Sequence, residues 1–172
     1  MFQSVRYKII VVMFAICLSP TKLSAQAIIE NYNSVTDSRL IDPEDHNWLS
    51  YRGTLDGWGF SKLGQINADN VSDLEPVWSF STGVLGGHES PPIVNDGVMF
   101  ITTPGNFLYA IEAATGDLLW RYQHNLPENY IAFHRTNRGV ALYGDKVYMA
   151  TLDARVVALN ASTGEKVWDT TV

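Results

Sequence analysis

The chain predicts an all-β fold of β-propeller type, on three observations. The stretch Ala110-Ile111-Glu112-Ala113-Ala114-Thr115-Gly116-Asp117-Leu118-Leu119-Trp120 returns 48 residues later, without a gap, as Ala158-Leu159-Asn160-Ala161-Ser162-Thr163-Gly164-Glu165-Lys166-Val167-Trp168. Two alanines, the Thr-Gly pair and the closing Trp are unchanged. Self-similarity at this period marks a supersecondary unit stacked on copies of itself, in a solenoid or a propeller. Second, each Thr-Gly lies between two short apolar runs, which reads as a β-hairpin whose Gly takes the positive φ that other residues resist. Third, turn signals cut each repeat into four short strands, the make-up of a propeller blade, whereas a solenoid of parallel strands has no use for tight hairpins.

The elements follow in order. Residues 1–25 read as a secretory signal peptide: Arg6 and Lys8 precede the apolar run Ile9 to Leu18, and Leu23-Ser24-Ala25 offers small residues for cleavage. The run is too short to span a bilayer, so no membrane anchor is expected here. Residues 26–46 are polar and irregular, an exposed lead-in. The propeller portion covers 47–172. It begins with a Gly- and aromatic-rich stretch to Phe60, and Asn70-Val71-Ser72-Asp73-Leu74 makes one helical turn at most. Residues 75–83 alternate like a strand, with Trp78 set as Trp120 and Trp168 are, so this reads as the last strand of a unit whose other strands lie elsewhere. The first full unit has strands at 92–95, 98–103, 107–112 and 118–122; the second has them at 139–142, 146–151, 155–160 and 166–170. Each Trp suits a joint between neighbouring sheets, because it buries a large apolar body and its N–H still seeks a partner. Ala110 and Ala158 are small enough to admit a close neighbour.

Composition bounds the function. Hydrophobic residues at 46% supply a core, and a net charge of −6 argues against nucleic acid or anionic lipid as partner. Cys17 is the only cysteine and lies in the leader, so disulfides, Cys-ligated zinc and a Cys-x-x-Cys-His haem site are excluded from residues 26–172. The residues before Cys17 do not form a lipoprotein cleavage box. His46, His88, His124 and His134 lack metal-ligand spacing, and no dinucleotide fingerprint, phosphate loop, nucleophile elbow or His-Glu-x-x-His is present. The sequons at Asn70 and Asn160 carry no weight alone.

The Ala-x-x-Ala-x-Thr-Gly-x-x-x-Trp repeats resemble the tryptophan-docking motifs of the pyrroloquinoline quinone (PQQ)-dependent alcohol dehydrogenases, and Trp48 to Leu74 resembles their N-terminal segment. The resemblance implies an eight-bladed propeller with PQQ and Ca2+ or a lanthanide ion on its axis. This chain would supply the N-terminal strand and about two blades, a fragment inactive alone. By motif, Glu89 in Glu89-Ser90-Pro91-Pro92 inherits a hydrogen bond to PQQ, and Arg138 in Asn137-Arg138-Gly139 inherits a pairing with the cofactor. A guanidinium suits the carboxylates of PQQ. The family's adjacent cysteines are replaced by Ala132 and Phe133, and Phe133 either turns its ring to the quinone or packs as a plain loop aromatic. The catalytic Asp and the metal ligands are expected beyond residue 172. The implied activity is hydride transfer from an alcohol or similar hydroxyl substrate to the quinone, in the periplasm, with an electron acceptor such as a cytochrome c. The competing class is a non-enzymatic periplasmic propeller scaffold of the outer-membrane assembly type. Glu89 and Arg138, with no lipobox, favour the enzyme.

Overall fold

The computed structural model describes residues 27–172 apart from residue 132. The expected signal peptide at 1–25 and the Ala132 half of the Ala132-Phe133 substitution lie outside the described residues. The expected all-β architecture is present as two four-stranded antiparallel sheets. One holds β1 (Ile93–Asn95), β2 (Val98–Thr103), β3 (Phe107–Glu112) and β4 (Leu118–Gln123) in that order; the other holds β5 (Ala141–Tyr143), β6 (Lys146–Ala150), β7 (Arg155–Asn160) and β8 (Lys166–Thr171). They are two blades of a partial propeller. The bounds of β2, β3 and β7 are those expected. β5 starts at Ala141 and not at Gly139, because the Gly139 N–H donates to Thr102 Oγ1 (2.9 Å) of the other blade.

The repeated stretch is a repeated turn. Glu112 N–H donates to Asp117 O (2.9 Å) and Gly116 N–H to Glu112 O (2.8 Å); Asn160 to Glu165 and Gly164 to Asn160 do the same, both at 2.8 Å. A register shift follows Ala110 in one sheet and Ala158 in the other, so even the irregularity recurs. The tryptophans do form the joints. Trp120 Nε1–H of the first blade donates to Ala161 O of the second (2.9 Å), and Trp78 Nε1–H donates to Ala113 O (3.0 Å). The closest approach falls on glycine. A Cβ on Gly164 (φ 72°) would sit 2.6 Å from the Trp120 ring, and one on Gly116 (φ 79°) 2.7 Å from the Trp78 ring. Trp168 has no such joint among the described residues and is 41% exposed beside Tyr148.

Residues 75–83 carry the docked Trp78 and have no ladder partner among the described residues, as a strand does when the rest of its unit lies elsewhere. One expectation is corrected. The lead-in is not simply exposed. It contains the helix α1 (Asp37–Ile41), capped by Thr36 Oγ1 accepting from Arg39 N–H, and it crosses both blades. Ala27 N–H donates to Leu119 O and Ile29 N–H to Ser162 O, and Val35 pairs with Gly144; just beyond the lead-in Trp48 pairs with Val94. Val35 and Leu49 belong to the core with Phe100, Trp120, Val147 and Met149. Polar composition hid this, because Arg39 does the anchoring: it forms a two-pronged pair with Glu44 (2.8 and 3.0 Å) and donates to Asn95 Oδ1 (2.9 Å).

That pair makes the lead-in acid-sensitive. Hydrogen bonds from Arg39 first, and then from Asn47, hold the Glu44 carboxyl down at about 2, against 4.5 unperturbed. A depressed folded value means that the unfolded chain binds the proton first, so the contribution is present above 4.5 and is lost as the pH falls towards 2. Glu44→Gln is therefore expected to lower the melting temperature near neutral pH, with the difference closing towards pH 2. Melting curves of both proteins across that range check this.

Candidate functional site

The sheet order puts β1 and β5 at the corresponding edges of their blades, and Glu89 and Arg138 lie just ahead of these two strands. Two prolines, Pro91 and Pro92, precede β1 and cannot donate to a ladder, so pairing with β2 stops at Ile93↔Phe100. Gly139 precedes β5 with φ 110°, and a Cβ there would lie 3.4 Å from Pro91 Cδ. The approaches to the two blades thus lie against each other. Glu89 and Arg138, 49 residues apart, meet in an ion pair of 3.1 Å from Nε to Oε2. Their side chains are 51% and 79% exposed, so the pair faces open space.

Beneath the exposed pair is a buried polar seam. Thr102 N–H donates to Ser90 Oγ (3.0 Å), and Thr102 Oγ1 accepts from Gly139 N–H (2.9 Å). Asn137 Nδ2 donates to Ala150 O (2.8 Å) and to Asn106 Oδ1 (3.3 Å), while its own Oδ1 accepts from Gly139 N–H (3.2 Å). Asn106, in the β2–β3 turn with φ 60°, also accepts from Leu152 N–H (3.2 Å). Thr102, Asn106 and Asn137 are all buried, and each makes at least one of these hydrogen bonds, while Asn106 Nδ2 is buried without a partner among the described residues. Thr102 and Asn106 were missed from the sequence: their partners lie 12 to 46 residues away, and only the Gly105-Asn106 turn signal hinted at a special position.

The loop between β4 and β5 is pinned as well. His124 Nε2 pairs with Asp153 Oδ2 (3.0 Å), and the Tyr130 hydroxyl donates to Leu152 O. Burial works to raise the Asp153 carboxyl, but hydrogen bonds from Thr151 and His124 outweigh it and hold it below the usual carboxylate range. His124 thus helps to tie this loop to the turn that carries Asp153. Among the described residues no three of His, Cys, Asp and Glu gather as ion ligands. Phe133 is 96% exposed and touches His134 edge-on (5.1 Å), lining a cleft together with Val84 to Gly87. No helix among the described residues is long and apolar enough to cross a membrane.

Comparison with known proteins adds the following. Residues 48–170 match the family described as PQQ: glucose/ethanol/alcohol dehydrogenase, beta-propeller domain. The quinoprotein ethanol dehydrogenase of Pseudomonas aeruginosa is 50% identical over 112 residues, covering 63% of this chain and 18% of that protein. The quinoprotein ethanol dehydrogenase of Pseudomonas putida is 38% identical over 169 residues, covering 88% and 27%. The solved structure of quinohemoprotein alcohol dehydrogenase ADHIIG from Pseudomonas putida superposes with a TM-score of 0.74 at 37% identity, over 80% of this chain and 21% of that one. A europium-containing methanol dehydrogenase gives 0.73 at 32% identity, over 78% and 25%. The chain spans between 18% and 27% of the length of these two ethanol dehydrogenases.

Proposed function

The chain belongs to the PQQ family of glucose/ethanol/alcohol dehydrogenase β-propeller domains, and from that premise we propose that it forms part of the cofactor wall of a PQQ-dependent dehydrogenase acting on an alcohol or similar hydroxyl substrate. The observation that carries this reading is the Glu89–Arg138 pair, presented by successive blades above a buried seam. The donor set fits the cofactor. Arg138 spends Nε on Glu89, and among the described residues no acceptor engages its two Nη groups. They form a planar pair of donors suited to a carboxylate.

In this reading Arg138 binds a cofactor carboxylate, and Glu89 holds the guanidinium in plane while keeping Oε1 to accept a further hydrogen bond. When bound, the quinone supplies the hydride acceptor for alcohol oxidation. The chain's own residues bind and orient; none is assigned the base or the metal-ligand role. The leader would send the enzyme to the periplasm, where a cytochrome c is the kind of protein that takes its electrons. Calcium or a lanthanide ion would complete the site.

Arg138→Ala in the full-length protein is expected to weaken PQQ binding roughly a hundredfold, since truncating one member of a charge pair that the bound cofactor would desolvate costs ~2–5 kcal/mol. Arg138→Lys keeps the charge without the fork and should recover only part of this. Titration of the apoprotein with PQQ at fixed calcium, followed by cofactor absorbance, checks it. Unchanged affinity with an intact fold would leave the non-enzymatic scaffold as the better reading.

A further inference from the structure

We propose that Thr102 is the positioning residue of this site, setting Arg138 in register with Glu89 through the backbone on which each is carried. This rests on the reading of Glu89 and Arg138 as cofactor ligands. Arg138 is 79% exposed, so packing does not choose its direction; the backbone on either side does. Thr102 holds both approaches at once. Its N–H binds the hydroxyl of Ser90, the residue after Glu89, and its Oγ1 binds the N–H of Gly139, the residue after Arg138.

The need for such a tie follows from local chemistry. Continuing the β1–β2 register past Ile93 would bring Pro92 and Pro91 to the edge of β2, and neither has an N–H to give. The approach carrying Glu89 is therefore held by Ser90 Oγ instead of a ladder bond. Gly139, with φ 110° and Pro91 at its back, has left its own ladder too. At 1% exposure Thr102 is shielded from water that could replace either bond. Asn137 and Asn106 fix the preceding flank of Arg138 in the same way. Binding constellations tolerate little misplacement, and a buried second layer of hydrogen bonds is how they are held.

The test uses the full-length protein, PQQ titration of the apoprotein at fixed calcium, and thermal melting. Thr102→Val keeps the shape and removes the acceptor; it should weaken PQQ binding about tenfold, the loss of one buried hydrogen bond. Thr102→Ser restores the hydroxyl and should stay within about twofold of wild type. In an Arg138→Ala background, Thr102→Val should cost less than about twofold more, because the guanidinium it positions is gone. Should Thr102→Val not fold, Thr102→Ala against Thr102→Ser gives the same comparison. Wild-type affinity in Thr102→Val while Arg138→Ala is impaired overturns the positioning role alone. A tenfold loss that persists in the Arg138→Ala background assigns Thr102 to stability and also overturns it. If Arg138→Ala itself binds PQQ normally, the ligand reading fails and the positioning role falls with it.

Discussion

Trp120→Ala is expected to destabilise the protein by about 3–5 kcal/mol, the range for removing a large aromatic from a core. Trp120 is fully buried, lies 5.8 Å from Phe100 between ring centroids, and belongs to the core cluster that both blades share. Burying some 150–250 Å² of aromatic surface at about 25 cal/mol per Å² stabilises by roughly 4–6 kcal/mol, an upper estimate against a compact unfolded state. Its indole N–H adds the bond to Ala161 O across the joint. Trp120→Phe keeps one ring in the joint, and the smaller loss, about 1–3 kcal/mol, should combine the missing donor with the space left by the rest of the indole. Urea unfolding of the full-length protein, followed by far-ultraviolet circular dichroism, measures both. A loss under about 1 kcal/mol for Trp120→Ala would take the joint's stability away from this residue.

Gly164→Ala is expected to cost about 2–5 kcal/mol although it adds a single methyl group. Two effects combine. The residue sits at φ 72°, where an L side chain costs about 1–2 kcal/mol, and its Cβ would stand 2.6 Å from Trp120 Cε3 and 2.7 Å from Cδ2. The ring is clamped by its own hydrogen bond and cannot yield cheaply, so overpacking adds about 1–3 kcal/mol. Gly144 separates the effects: at φ 59° it has nothing within 4 Å of an added Cβ, so Gly144→Ala should show only the backbone share. In a Trp120→Ala background the steric share of Gly164→Ala should vanish, and the two losses should not add. Full additivity in that double variant would mean that ring and glycine do not touch.

These joints were legible in the sequence because their chemistry is local and repeated. Asn95-Asp96-Gly97 and Gly105-Asn106 bound β2, whose burial largely alternates, and Thr-Gly with Trp four residues on recurs in both units. What was not legible is long-range. Arg39 belongs to no motif in the sequence, yet Asn95 and the carbonyls of Asn33 and Ser34 converge on it. Residues 75–83 have strand alternation, but alternation records a face and not a partner. Glu89 and Arg138 were singled out by resemblance, and their meeting at 3.1 Å is a fact of the fold. Thr102 reads simply as the end of a strand, because the Ser90 and Gly139 bonds depend on how two blades abut.

The path of the lead-in across both blades has a kinetic consequence. Ala27 and Ile29 bond to Leu119 and Ser162, and Val35 to Gly144, all of them in or beyond the last strand of the first blade. Residues 27–35 are synthesised before any of these partners exists, whereas the strands of each blade find theirs in the next hairpin. Contacts of high sequence separation close slowly, since the ordering entropy of the intervening chain is lost before they form. The blades should therefore assemble first, with Val35 and its neighbours the last of these elements to dock. Until then the core remains open along the side that the lead-in covers.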